Sequence, residues 1–210
     1  MFITFEGIEG SGKTTQLRRL AVVLPGAVVT KEPGGTPISD RVRSILLDPQ
    51  SSGMDAMTEL LLYAASRRQH VVELIQPALQ RGGVVLCDRY TDSTLAYQGF
   101  GRLLDLDQLR TLNAWATGGL APELTLLFDL PEEEGLARAR SRNDASAALQ
   151  GEGRFEAEDL RFHRRVREGY RSLAASEPAR YAVVDAAGSE EEVFERMIAA
   201  LNGRAPRLLA

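Results

Sequence analysis

Eight residues near the N-terminus, Gly7 to Thr14 (GIEGSGKT), constrain this 210-residue chain more than any other stretch. Gly7, Gly12, Lys13 and Thr14 match the pattern G-x-x-x-x-G-K-[ST], and they stand between an apolar run, Phe2 to Phe5, and a helical pattern that begins near Lys13. A strand, a glycine-rich turn and a helix in that order form a phosphate-binding P-loop. Glycines let the backbone amides close around a phosphate, and side chains at those positions would block the approach. Lys13 brings positive charge to the β and γ phosphates, Thr14 offers a hydroxyl to Mg2+, and the helix N-terminus adds a dipole that favours an anion. The nucleotide-binding stretch is therefore read as Gly7, Ile8, Glu9, Gly10, Ser11, Gly12, Lys13, Thr14 and Thr15, with a nucleoside triphosphate and Mg2+ as its ligands.

The rest of the chain agrees with the fold that such a loop requires. Apolar runs at Phe2 to Phe5, Ala27 to Thr30, Val84 to Cys87, Leu124 to Asp129 and Tyr181 to Val184 read as buried strands. Helical spacing falls between them, at Thr15 to Leu24, Thr58 to Gln80, Asp107 to Thr117, Glu132 to Arg142, Ala157 to Ala175 and Ser189 to Leu201. Strands that are apolar on both faces and alternate with helices predict a three-layer α/β fold, with a five-stranded parallel sheet flanked by helices. The length suits a single domain spanning 1–210. The polar stretch Ser141 to Gly153 (SRNDASAALQGEG) reads as a mobile loop and the tail GRAPRLLA as a frayed end.

Charge and composition exclude several classes of function. The net charge of −4 argues against a polybasic nucleic-acid or membrane-surface binder. No apolar run is long enough to span a membrane, and one cysteine, Cys87, allows neither an internal disulfide nor a cysteine-based zinc site. The N-terminus lacks the features of a secretory signal, so a cytoplasmic location is expected. A P-loop alone leaves GTPases, ATPase motors and kinases open. None of the asparagines, Asn113, Asn143 and Asn202, is followed by lysine, so the guanine-reading Asn-Lys-x-Asp motif is absent. The tetrapeptide DAAG at Asp185 to Gly188 lies too late in the chain for a GTPase switch, and its turn is a candidate adenine wall.

The third predicted strand runs into Asp88, Arg89 and Tyr90, and ligands in parallel α/β folds gather at the C-terminal ends of strands. Asp88 can hold Mg2+ or its waters, and Arg89 can clamp a second phosphate. With FEGIEGSGKTTQ (Phe5 to Gln16), KEPGGT (Lys31 to Thr36), LLLYAASRRQH (Leu60 to His70) and DRYTDSTLAYQG (Asp88 to Gly99), the chain resembles the thymidylate kinases. The likeness continues through APELTLLFDL and GLARARSR to Gly153-Arg154-Phe155-Glu156.

That resemblance implies a P-loop kinase fold with a mobile lid at about 141–154, a homodimer packed through helices, and transfer of phosphate from ATP to dTMP in dTTP synthesis. It implies a thymine-stacking ring at Tyr63 and a base contact from Arg67, four residues apart on one helix face. Arg89 would grip the acceptor phosphate, and Glu9 would contact the sugar and help exclude ribonucleotides. Ser93, Thr94, Tyr97 and Gln98 would line the sugar and base pocket, with Glu32 shaping its wall. In one subtype of the family the P-loop carries an arginine, and in the other the lid supplies the basic residues. Here positions 8–11 hold none, so Arg138, Arg142 and Arg154 join Lys13 and Arg89 as the expected catalytic charges, with Arg140 pointing largely away. Two other readings stay open: a kinase for another pyrimidine nucleotide or a deoxynucleoside, and an ATP-binding regulatory module without turnover.

Overall fold

The computed structural model describes residues 1–145, 154–155, 157–206 and 208–209, with only the backbone of 142–145. Five strands, β1 (Phe2–Glu6), β2 (Val28–Lys31), β3 (Val85–Asp88), β4 (Leu124–Asp129) and β5 (Tyr181–Asp185), form one sheet in the order β2-β3-β1-β4-β5. Every neighbouring pair is parallel. Nine α-helices are described: α1 (Lys13–Val23), α2 (Pro37–Leu47), α3 (Ala56–His70), α4 (Gln76–Gln80), α5 (Thr91–Thr94), α6 (Leu106–Thr117), α7 (Glu132–Ala145), α8 (Leu160–Ser176) and α9 (Glu190–Arg204). Among the described residues no helix is long and apolar enough to cross a membrane.

All five predicted strands form, each within a residue of its expected bounds. The central strand β1 is buried along its whole length. Ile3 and Phe5 join the core against α1 and α9, where Phe5 stacks on Phe128 with ring centroids 5.9 Å apart. Thr4 and Glu6 alternate to the opposite face. Glu6 thereby turns toward α5 and α8, from which Ser93 and Tyr170 respectively donate to its carboxylate.

The predicted helix from Thr58 to Gln80 is a continuous rod whose ladder changes register. α3 passes into a π-helical stretch, Val71–Ile75, before α4. Pro77 has no N–H to give to the carbonyl four residues back, and the amide of Gln76 bonds to Val71, five residues back. The helix expected from Ala157 starts instead at Leu160, because the carboxylate of Asp159 accepts the amide of Phe162 at 2.7 Å and caps it there.

Two elements have no counterpart in the hydrophobic pattern. α2 begins with Pro37 at its first turn and buries only Ser39, Leu46 and Leu47. α5 continues into a second π-helical stretch, Leu95–Gly101. Two glycines let α8 lie directly on that stretch. A β-carbon on Gly101 would come within 2.7 Å of Phe162, and one on Gly169 within 2.6 Å of Phe100. This close approach brings α8 to the site.

Candidate active site

Gly12 adopts the left-handed conformation at the N-cap of α1, with φ of 80°, and has no side chain with which to cap the helix. The first amides of α1 are thus left for an anion. Gly10, with φ of 69°, packs so tightly on α7 that a β-carbon would fall 2.0 Å from the carbonyl oxygen of Gly135. The P-loop is wedged against the first turn of α7. Lys13 folds back to donate to the carbonyl of Ile8 at 3.1 Å. Its burial, with Arg89 close by, pushes its pKa down to about 8. The hydroxyl of Thr14 is in contact with the carboxylate of Asp88 across the strand ends.

Arg89 sits at φ 69°, a left-handed conformation that costs an ordinary residue about 1 kcal/mol or more. The backbone strain turns its side chain back toward the P-loop. One terminal nitrogen donates to the carbonyl of Gly7 (2.9 Å) and to the hydroxyls of Tyr170 (3.1 Å) and Ser93 (3.3 Å). The other donates to Glu9 and to the Tyr97 hydroxyl, both at 3.1 Å. Burial opposes its charge, but the phenols of Tyr97 and Tyr170 and the carboxylate of Glu9 hold its pKa well above the ordinary value. Burial would likewise raise Glu9, yet Arg89, His163 and Lys13 outweigh it and hold that carboxyl well below the usual range.

Arg67 is 2% exposed and its guanidinium is nearly saturated. Nε donates to Glu32 at 2.7 Å, one terminal nitrogen to Thr94 (2.9 Å) and Asn113 (2.7 Å), and the other to the carbonyl of Tyr90 (3.0 Å). Four of its five N–H groups therefore have partners among the described residues, and Arg67 lines the cavity with the fifth to spare. Glu32 also takes Nδ1 of the buried His70 at 3.0 Å, so Arg67 is anchored from behind. Tyr63 lines the same cavity, and burial, with Glu59 near it, raises its pKa and keeps the phenol protonated.

One cavity of about 400 Å³ joins these groups. Glu9, Gly10, Gly12, Lys13, Thr14 and Thr15 form one end, and Glu32, Tyr63, Arg67, Ser93, Thr94, Tyr97 and Gln98 the other, with Asp88 and Arg89 between them. Gly7, Ile8 and Ser11 are buried behind the loop.

The arginines expected from the lid separate. Arg138 lies on α7, partly exposed, bonded to Glu134 at 2.5 Å and to the carbonyl of Ala186 at 3.2 Å, beside the turn expected to form the adenine wall. Arg140 is exposed. The side chain of Arg142, Glu156 and residues 146–153 of the expected lid lie outside the described residues. Arg154 corrects the expectation that it reaches the phosphates. It is buried, paired with Glu59 at 2.6 Å and bonded to the carbonyl of Leu46. The physical reason is that Glu59 is itself fully buried and needs cations: Arg154 and Arg102 supply them, and Gln98 adds an amide at 2.7 Å.

Several site residues escaped the sequence reading. Tyr170 and His163 belong to α8, more than 60 positions after the acceptor motif, and one amphipathic helix offers no mark that sets them apart. Glu6 is a charged residue inside a buried strand, and that mismatch was the available signal. Its burial, with Asp92 nearby, pushes its pKa up to about 7 against hydrogen bonds from Ser93 and Tyr90. Asn113, Glu59 and Phe155 reach the site only through folding.

Comparison with known proteins places these features among relatives. The family model described as thymidylate kinase matches residues 5–197. A thymidylate kinase of Solidesulfovibrio magneticus is 56% identical over 199 residues, covering 93% of this chain and 95% of the relative. That of Geobacter sulfurreducens is 56% identical over 210 residues and covers 98% of both chains. The crystal structure of thymidylate kinase from Ehrlichia chaffeensis superposes with a TM-score of 0.75 at 35% identity, over 96% of this chain and 98% of that one.

Proposed function

This chain belongs to the thymidylate kinase family, and we infer that it transfers the γ-phosphate of ATP to dTMP, giving ADP and dTDP. The observation that carries the reading is the single cavity that runs from the P-loop, past Arg89, to Arg67 and Tyr63. It offers two anion positions and one base-sized slot. A regulatory module that only senses ATP has no use for the second half.

Chemistry at the base end favours a keto pyrimidine. The spare N–H of Arg67 needs an acceptor, which O4 of thymine or uracil provides. Cytosine would oppose it with an amino group and leave a buried donor unpaired, the kind of mismatch that sites of this sort reject strongly. The thymine methyl adds about 1 kcal/mol of apolar burial over uracil. At the phosphate end, Lys13 neutralises the donor and Arg89 the acceptor, and holding the two in line is most of what phosphoryl transfer asks of a protein.

Magnesium fits the residues present. The touching Thr14 hydroxyl and Asp88 carboxylate are hard oxygen donors, as that ion prefers, and would hold it with waters and phosphate oxygens completing the shell. When bound it neutralises charge developing on the phosphate oxygens. Arg138 and Arg142 on α7 remain the further cations proposed to act on the transferring phosphate, since Arg154 is occupied elsewhere.

For assembly, we propose a homodimer packed through α2, α3 and α6. Ile45, Leu61 and Trp115 expose 51%, 53% and 74% of their surfaces on these helices, of which α3 packs against both α2 and α6. Light scattering of Trp115→Asp at half the mass of the parent would support it, and an unchanged mass would remove this face. The reaction is tested by coupled-assay turnover of dTMP, dUMP, dCMP and thymidine in parallel. The expected order is dTMP above dUMP, with dCMP and thymidine near background. Turnover of none of them would return the chain to the ATP-binding module.

A further inference from the structure

His163 on α8 is 1% exposed and faces two groups. Its Nε2 lies 3.1 Å from the carbonyl oxygen of Phe155. A carbonyl only accepts, so Nε2 carries a hydrogen. Its Nδ1 faces Oε2 of Glu9 at 3.5 Å, and neither of those atoms has a hydrogen-bond partner among the described residues. The other carboxylate oxygen of Glu9 is held firmly, by the Tyr97 hydroxyl at 2.6 Å and Arg89 at 3.1 Å.

Glu9 is thus pinned on one oxygen and unpaired on the other. Two buried polar atoms that face each other a few tenths of an ångström beyond bonding distance are an unclosed hydrogen bond, and buried groups are rarely left so. We propose that His163 is a positioning residue for Glu9: when the acceptor binds, the ring takes up a second proton from solvent and its Nδ1–H closes on Oε2, so that the carboxylate is aimed at the sugar hydroxyl. The aim at the sugar rests on the role proposed for Glu9; the pairing itself rests on the geometry. Because the same ring also holds the carbonyl of Phe155, whose side chain meets Tyr97 edge-on at 5.5 Å, it ties three pocket elements together: the P-loop, the π-helical stretch and the chain just before α8.

The two ring nitrogens can be tested separately. Asparagine places its amide nitrogen near Nδ1, and glutamine near Nε2. His163→Gln should lower kcat/KM for dTMP about tenfold, mostly through KM, while His163→Asn stays within about threefold. In a Glu9→Ala background the His163→Gln change should cost less than about twofold, because its partner is already gone. Equal losses in both backgrounds, or asparagine faring no better than glutamine, would overturn the proposal. Where a variant fails to fold, the parent protein answers. With dTMP bound, 15N spectra should show hydrogens on both nitrogens of His163, one of only two histidines in the chain, and a single hydrogen there would sink the pairing. Glu9→Gln assayed on dTMP and on its 3′-deoxy analogue separates the underlying reading: an equal loss on both removes the sugar contact and leaves the His163–Glu9 pairing standing.

Discussion

The two ends of the cavity are built differently. At the acceptor end the key cations are buried and nearly every donor is spoken for: Arg67 is 2% exposed, and the terminal nitrogens of Arg89 touch five groups. At the donor end Lys13 is buried as well, but Thr14 is exposed, and Arg138 is partly exposed on a helix surface beside Glu134. In the proposed assignment, an acceptor end that is set before substrate arrives can discriminate among bases and sugars. The donor end recognises phosphate, which every nucleoside triphosphate carries, and backbone amides with a few movable cations suffice for that.

The sharpest way to break this contrast is to remove the cation between the two ends. Arg89→Ala should lower kcat/KM for dTMP by about 10³-fold in steady-state assays, since it takes away acceptor-phosphate charge and unties Glu9 and Tyr97 together. A loss under tenfold would mean that Arg89 holds the pocket's shape only.

Arg67→Met comes next. It should raise KM for dTMP by about 10² and narrow the preference for dTMP over dCMP, because a keto and an amino group are no longer told apart. Glu32 would be left buried beside His70 alone, so unfolding in urea should show a loss of about 3–5 kcal/mol.

Comparing Arg138 with Arg154 sharpens the division further. Arg138→Ala should reduce kcat about tenfold with KM for dTMP and the melting temperature little changed, as expected of a cation that acts only on the transferring phosphate. Arg154→Met should do the reverse, lowering the melting temperature and raising KM for dTMP a few-fold while KM for ATP holds. The opposite pattern would return Arg154 to the phosphates.

The smallest effect concerns pH. Lys13, with its pKa pushed down to about 8, is charged below that value and neutral above it. A neutral lysine no longer attracts phosphate, so ATP affinity measured by calorimetry should weaken a few-fold as pH rises from 7 to 9. Bound triphosphate pulls the proton back onto Lys13, so proton uptake should accompany binding near pH 8. Affinity for dTMP should change less over the same range.

How much could be read beforehand follows from how each residue's role is encoded. Lys13, Thr14, Asp88 and Arg89 stand at strand ends next to recognisable spacings, and their gathering follows from the parallel topology. Tyr63 and Arg67 share a helix face by their four-residue spacing alone. Arg154 was misjudged because proximity in sequence to the lid was taken for proximity to the phosphates, whereas burying Glu59 decided where it went. α2 and the stretch Leu95–Gly101 were missed for a related reason. The first buries mainly one end of its length, and the second owes its register to the close packing of α8.

The sequence by itself determined the strand-loop-helix that binds phosphate, the five buried strands, and the acceptor motif at the end of β3, because each depends on neighbours a few positions away. Only the tertiary structure decided that α8 would bring His163 and Tyr170 to Glu9 and Arg89, that Glu6 would stand behind them, and that Arg67 would line the cavity with four of its five N–H groups already partnered among the described residues. Those outcomes depend on which buried charges find partners far along the chain, from 23 residues apart for Arg67 and Tyr90 to 164 for Glu6 and Tyr170, and such pairing is settled by burial and geometry after the chain has closed.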